Sequence, residues 1–185
     1  VIADNLGESS AGGVSGGSST ITLVNTTVSG NVGNGIQISG GTLNVQSSMV
    51  INNIFGGDGG GIANGGGTVN VIGSTVSGNR AEQGGGGIST INGTMNVTGS
   101  NVINNTSIYG GGGGIRTNGR LNVSDSNISN NIDNSPGFGG GGIFSGAQLV
   151  TLNITRTSIT GNSTTGPGGG IYNEGAGLNA EFTLI

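Results

Sequence analysis

Hydrophobic and polar residues alternate in short stretches that return along the whole chain. Ile21 and Leu23, for example, are separated by a single threonine. The equivalent apolar pairs are Leu43 and Val45, Val69 and Val71, Met95 and Val97, Leu121 and Val123, and Leu152 and Ile154. Apolar residues at every second position are typical of a strand with one buried face. The pattern therefore predicts one short strand per repeat, with these residues inside.

A second element follows each pair: a Val or Ile lies three residues before an asparagine. These asparagines are Asn5, Asn31, Asn53, Asn79, Asn105, Asn131 and Asn162, at steps of 26, 22, 26, 26, 26 and 31 residues. A glycine-rich stretch then ends at another Val or Ile, such as Ile62 or Ile88. A period of this length is the signature of a repeat architecture, in which each repeat stacks on its neighbours.

These patterns predict an all-β fold over residues 1–185: one domain that is a right-handed, single-stranded parallel β-helix, or β-solenoid. It has about seven coils of about 26 residues, with three short strands per coil. The 45 glycines and many β-branched residues argue against helices. The right hand follows from the general preference of parallel crossovers. At roughly 4.8 Å per coil, the coils form a short rod.

Stacking turns each repeated position into a column of like side chains. We predict that one column forms an asparagine ladder at a corner, each amide bonding the next asparagine or the turn backbone: Asn31, Asn53, Asn79, Asn105, Asn131 and Asn162. A Ser/Thr column containing Ser74 and Ser100 is interpreted as a second turn column. The glycine runs lack the Lys and the following helix of a phosphate-binding loop, so they predict tight bends. All three columns are interpreted as architecture.

Composition narrows the possible partners. Only 6% of the residues are charged, the net charge is −4, and there are four Arg and no Lys. Without a basic stripe, nucleic acid is not expected as a partner. Cysteine is absent, and no apolar run approaches the roughly 18 residues of a membrane span. We expect no cofactor and no membrane-spanning segment.

The outward positions of the alternating strands form a polar Thr/Asn face. Asn96, Asn122 and Asn153 on this face begin N-x-[ST] sequons, and further sequons begin at Asn25, Asn92, Asn104 and Asn127. Attached glycans are one interpretation. A repeat rich in Asn, Thr and Ser also generates sequons by chance. A third interpretation is a flat array that orders water for ice binding.

The sequence contains few residues that could carry out catalysis. The acidic residues are scattered over the repeat, and His, Cys and Lys are absent. Asp58 and Glu82, with Arg80 nearby, are the only candidate pair, and we interpret all three as solvated loop charges. Calcium binding at Gly56–Gly59 is disfavoured because the calcium-binding nonapeptide motif needs an Asp in every coil. We therefore expect no catalytic residue, no metal site and no enzymatic activity.

The two ends of the sequence fall at the same phase of the repeat. Ile2 and Ile185 both occupy the position three before an asparagine, and no capping segment is recognisable. An uncapped solenoid can stack head to tail into a filament. Val1, Ile2, Leu184 and Ile185 would then form the end-to-end contact between copies. The alternative is that the chain is a piece of a longer β-helix.

Paired motifs carry a resemblance to a known family. Gly60-Gly61-Ile62 is followed by Val76-Ser77-Gly78-Asn79, and Gly113-Gly114-Ile115 by Ile128-Ser129-Asn130-Asn131. This pairing resembles the repeats of bacterial polymorphic outer membrane proteins and related autotransporter passengers. The family usually has Phe where this chain has Val or Ile, and it carries a membrane barrel. The resemblance implies secretion and an adhesive or structural role at the cell surface, and it supplies no catalytic residue.

The sequence thus predicts an extracellular structural protein, a subunit or segment of a surface fibre. The first alternative is an adhesin passenger fragment that binds carbohydrate or matrix through its loops. An exposed ledge of Phe55, Tyr109, Phe138, Phe144 and Tyr172 would favour sugar binding, and burial of these rings would favour the scaffold. The second alternative, a polysaccharide lyase or hydrolase, would need a carboxylate pair facing one groove.

Overall fold

The computed structural model describes residues 1–146, 151–175 and 177–181, and within these ranges the chain forms short strands and no helix. In chain order the strands are β1 (Ile2–Ala3), β2 (Leu6–Gly16), β3 (Thr20–Val24), β4 (Thr27–Ser29), β5 (Val32–Ile38), β6 (Thr42–Gln46), β7 (Met49–Ile51), β8 (Ile54–Phe55), β9 (Ile62–Asn64), β10 (Thr68–Ile72), β11 (Thr75–Ser77), β12 (Arg80–Ala81), β13 (Ile88–Thr90), β14 (Thr94–Thr98), β15 (Asn101–Ile103), β16 (Thr106–Ser107), β17 (Ile115–Thr117), β18 (Arg120–Ser124), β19 (Asn127–Ser129), β20 (Ile132–Asp133), β21 (Ile143–Ser145), β22 (Thr151–Thr155), β23 (Ser158–Thr160), β24 (Ser163–Thr164), β25 (Ile171–Asn173) and β26 (Gly177–Glu181).

The strands form three parallel sheets that run along the rod. Sheet A has the order β1-β4-β7-β11-β15-β19-β23, and sheet C the order β26-β22-β18-β14-β10-β6-β3. Sheet B contains the remaining strands, with β2 paired to β5. Each coil crosses C, then A, then B before it reaches the next C strand. The predicted all-β parallel solenoid of about seven coils is confirmed, while its right-handed winding stays a prediction.

The register of the strands follows the repeat. Val50 pairs with Val28 and Val76, at the short step of 22 and the usual step of 26 residues. The long step has two sources. Ile115 pairs with Ile143, 28 residues on, whereas Leu121 pairs with Leu152, 31 residues on. Compared with the coil directly before it, the long coil thus has two of its five extra residues before Ile143, in the loop after the corner asparagine, and three between the sheet B and sheet C strands.

The core is a thin column of aliphatic side chains between the three sheets. Each central coil contributes one residue from sheet A, one from sheet B and two from sheet C, as Val76, Ile88, Met95 and Val97 do, and all four are fully buried. Since each coil buries its own small set against equivalent neighbours, seven coils form one continuous core.

Two corners of each coil depend on a left-handed residue. The residue before each corner asparagine has a positive φ, and it is always Asp, Asn or Gly, as at Asn52 (55°) and Gly78 (65°). The residue before each Ser/Thr column position behaves alike, including Ser47 (46°) and Arg156 (44°). Glycine, asparagine and aspartate tolerate this conformation best, which explains why they recur at both corners.

Candidate functional site

The corner asparagines lie at the turn between sheets A and B and form a continuous ladder. The Nδ2 of Asn79 donates to Oδ1 of Asn105 (3.0 Å) and to the backbone oxygen of Val50 (2.9 Å). Its Oδ1 accepts from both the backbone N–H and the Nδ2 of Asn53, each at 3.0 Å. The same pattern joins Asn31, Asn53, Asn79, Asn105, Asn131 and Asn162. The central amides are thus engaged within the fold.

The Ser/Thr column forms a second internal ladder at the turn between sheets C and A. The backbone N–H of Ser74 donates to Oγ of Ser100 (3.1 Å), and that hydroxyl donates to the oxygen of Thr98 (2.8 Å). Ser48, Ser74, Ser100, Ser126 and Thr157 are all buried. These hydroxyls close the turn, because each satisfies one backbone donor and one backbone acceptor.

A third ladder, which sequence reasoning missed, runs along the outer face of sheet C. Nδ2 of Asn96 donates to Oδ1 of Asn70 (2.8 Å), Nδ2 of Asn122 to Oδ1 of Asn96 (2.8 Å), and Nδ2 of Asn153 to Oδ1 of Asn122 (2.9 Å). These side chains are half-buried. Their identical position in successive coils was the available signal, since coils stack closely enough for amides to bond.

The sequon asparagines therefore fall into two environments. Asn96, Asn122 and Asn153 use the amide nitrogen, the atom that N-glycosylation modifies, as a ladder donor. Asn25 is exposed at the corner between sheets C and A, Asn92 and Asn104 are also exposed, and Asn127 is half-buried on the outward side of β19. The structure thus distinguishes two groups of sequons that look alike in the sequence.

The charges around the variable loop differ from the prediction. Asp58 is not a solvated loop charge: its Oδ1 lies 2.7 Å from Nη1 of Arg116, and both side chains are about four-fifths buried. The backbone N–H of Gly84 donates to the same oxygen at 2.8 Å. Nη1 of Arg80 lies 3.9 Å from Oε1 of Glu82, and both side chains are about half exposed to solvent. Among the described residues, no three acidic side chains come together.

The aromatic residues do not form one exposed ledge. Tyr109 and Phe138 are 65% and 40% exposed, whereas Phe144 is only 2% exposed. The Phe144 ring contacts Phe138 (centroids 5.9 Å apart) and Tyr172 (5.8 Å), and the Arg116 guanidinium lies 6.0 Å from its centroid. Phe55 lies apart from this cluster. The aromatic test therefore favours neither the scaffold nor sugar binding as a whole.

A cavity of about 190 Å³ lies on the outer side of sheet B, beside the loop that carries Asp58. Polar side chains of Asn34, Gln37, Asp58 and Ser89 line it, together with the Phe55 ring and apolar groups. Sequence reasoning missed the cavity and Arg116, which lies 58 residues after Asp58. Asp58 contacts a residue two coils away, whereas the sequence repeat relates only adjacent coils. The repeat therefore gives no signal for this contact.

One charged pair bridges the last coils at the surface. Arg156 donates from Nε and Nη2 to the two oxygens of Asp125, each at 2.7 Å. These hydrogen bonds hold the pKa of the Asp125 carboxyl below its ordinary value and raise the pKa of Arg156. Because both side chains are largely exposed, the pair contributes little to stability.

The residues predicted for end-to-end contact are only partly described. Val1 is exposed, and Ile2 is half-buried and pairs with Val28 in sheet A. Leu184 and Ile185 lie outside the described residues. Within the described ranges, no helix has the length and apolar character needed to cross a membrane.

The ladders, core columns and parallel sheets together define the class of this chain: a β-solenoid repeat protein. Comparisons with protein-family models, curated proteins and solved structures find no match to it. The likeness to bacterial outer membrane and autotransporter repeats accordingly rests on the short paired motifs alone.

Proposed function

We propose that the chain is a structural segment of an extracellular fibre, built by head-to-tail stacking of solenoid coils. The observation that carries the proposal is the corner ladder, in which each central amide is fully used in joining one coil to the next. The most regular polar side chains of the repeat thus serve cohesion between coils. The motif resemblance and the sequons support the extracellular setting.

Stacking of separate copies would reuse the contacts between coils. The central coils present the same strand edges and the same asparagine amide to their neighbours, so a coil of a second chain would find similar partners. The sheet B strand of the first coil, β2, is irregular and shifts register against β5. With a net charge of −4 over 185 residues, repulsion between copies is weak. Unpaired parallel edges are effective templates for strand addition.

A proline in the outermost strand of sheet C tests the stacking. In the described chain β3 has β6 as its one neighbour in this sheet. In the next coil the Thr42 amide donates to the Ser19 oxygen of the preceding coil (3.1 Å), so the equivalent amide of Thr20 points away from β6. Thr20→Pro removes this donor without breaking a bond within the chain, and Thr20→Val is the matched control.

Sedimentation velocity and negative-stain imaging measure the assembly state of each protein. The wild-type chain and Thr20→Val are expected to form rods that lengthen with concentration, while Thr20→Pro stays monomeric with an unchanged circular dichroism spectrum. A wild-type chain that remains a monodisperse monomer at all concentrations would overturn the proposal.

We also propose that glycans are attached at the sequons outside the outer ladder, including Asn25 and Asn127, because their amides are not used as donors as those of Asn96, Asn122 and Asn153 are. Intact mass above 17.7 kDa by sugar increments, measured on protein from its natural source, is the expected result. Peptide mapping should place the sugar on the sequons outside the ladder, and Thr27→Ala should remove the increment at Asn25. An intact mass equal to that of the sequence would contradict glycosylation.

A further inference from the structure

Two residues that line the cavity on sheet B carry buried polar atoms that the fold leaves without partners. Asn34 is fully buried, and its Nδ2 donates to the backbone oxygens of Asp58 (2.8 Å) and Gly59, while its Oδ1 has no hydrogen-bond partner. Ser89 is 2% exposed, and its Oγ has none either. A buried polar atom without a partner is unfavourable, because it has lost its hydrogen bonds to water. Two such residues lining one cavity indicate a bound group that completes their hydrogen bonds.

The charges around the cavity favour a neutral ligand. Asp58 is the carboxylate that lines it, and Arg116 neutralises this charge through Oδ1. A divalent cation would need several oxygen ligands and uncompensated carboxylates, and an anion would find no positively charged side chain among the lining residues. The Oδ1 of Asn34 is an acceptor and the Ser89 hydroxyl is both donor and acceptor, so the matching groups on a ligand are hydroxyls.

The volume and the apolar lining of the cavity narrow the class of ligand further. The volume of about 190 Å³ is below the roughly 300 Å³ at the lower end for drug-sized ligands, so the ligand is the size of one ring. Phe55 and Ile91 contribute an aromatic and an aliphatic surface to the same cavity. A ring with hydroxyls at its edge and C–H groups on its face matches both kinds of surface.

We propose that this cavity binds one neutral sugar residue, either a free monosaccharide or the terminal residue of a glycan. Asn34 and Ser89 bond its hydroxyls, and Phe55 contacts the face of its ring. The proposal is independent of fibre formation, since the cavity lies within a single chain, on the outer side of sheet B.

Titration of the full ¹⁵N-labelled chain, made monomeric with Thr20→Pro if it assembles, tests the site. The probes are methyl glycosides of neutral hexoses, an oligosaccharide ending in the best of them, glucuronate, and the open-chain polyol sorbitol. We expect millimolar affinity for one or more methyl hexosides, with amide shifts centred on Ser89 and Ile91 and no saturable response to glucuronate or sorbitol. Tighter binding of the oligosaccharide would identify a glycan end as the ligand, and equal binding a free monosaccharide.

Ser89→Ala keeps a Cβ on strand β13 and removes only the hydroxyl, so affinity should fall about tenfold while the amide spectrum shows a folded chain. Ser77→Ala, on the outward side of sheet A, is the matched control and should bind as the wild type does. Three results would overturn the proposal: no saturable shift with any hexoside, shifts centred on Tyr109 and Phe138, or equal affinity in Ser89→Ala. The first two would mean that no sugar occupies the cavity, and the third that Ser89 does not bond the ligand.

Discussion

At the scale of single residues, the same side chain has different energetic weight in the two asparagine ladders. Asn79 lies in the buried corner ladder, where its amide satisfies groups of Val50, Asn53 and Asn105. Asn96 lies in the outer ladder and is half-buried, so water can replace its partners. Burial rather than residue type therefore decides the cost of losing an amide.

Asn79→Ala should lower the free energy of unfolding by roughly 3–5 kcal/mol, because buried donors and acceptors on both adjacent coils lose their partners. Asn96→Ala, the matched control, should cost less than about 1 kcal/mol. Urea unfolding followed by circular dichroism measures both values. Similar costs for the two variants would show that the corner ladder has no special weight.

The pKa of Asp125 should respond to Arg156. Since the folded-state pKa of this carboxyl is lowered, the pair stabilises the fold above the ordinary aspartate pKa near 4, and this contribution is lost as the pH falls through the lowered value. NMR titration of the Asp125 carboxyl carbon should give a pKa below the usual range, and Arg156→Gln should return it there. An unchanged pKa in the variant would mean that the pair does not persist in solution.

At the scale of structural elements, the glycine directly before β9, β13, β17 and β21 is required by the corner ladder. A Cβ on Gly87 would lie 2.7 Å from the oxygen of Gly114 and 2.9 Å from Nδ2 of Asn105. Gly61, Gly114 and Gly142 meet the same obstacle. The glycine run and the asparagine column therefore depend on each other, because the asparagine amide occupies the space that a side chain at the glycine position would need.

Gly87→Ala should therefore destabilise the chain by about 1–3 kcal/mol, the usual cost of an overpacked interior. Gly65→Ala provides the control, since its Cβ would come no closer than 3.4 Å to a neighbour and the residue is exposed. That variant should be neutral or slightly more stable. Thermal melts of the two proteins decide between these outcomes, and a neutral Gly87→Ala would contradict the close packing.

The elements that sequence reasoning predicted are those that repeat in every coil. Val69 and Val71 alternate with polar residues, and Asn79 belongs to a column of asparagines. Both patterns specify one strand register, because each residue lies beside the equivalent residue of the next coil. Asp58 and Arg116 meet through a loop whose length changes from coil to coil, so their contact has no period. The cavity depends on that loop, which explains why the sequence predicted the scaffold and not the candidate site.

At the scale of the whole molecule, stability comes from neutral groups. The described residues contain three ion pairs, of which only Asp58–Arg116 is mostly buried. We expect the melting temperature to change by no more than a few degrees between low and molar sodium chloride, because screening acts chiefly on exposed charges. A steep loss of stability with salt would show that the ion pairs matter more than the ladders.

The corner ladder also makes the two ends of the rod chemically different. Every rung donates its backbone N–H and one Nδ2–H to Oδ1 of the later rung, as Asn53 does to Asn79, and its own Oδ1 accepts from the earlier rung. The second Nδ2–H returns to a backbone oxygen of the earlier coil, as from Asn79 to Val50. At two like ends, the Oδ1 atoms or the backbone N–H groups of this column would face each other, whereas unlike ends pair them. The orientation of the column therefore favours growth in which every added copy points the same way.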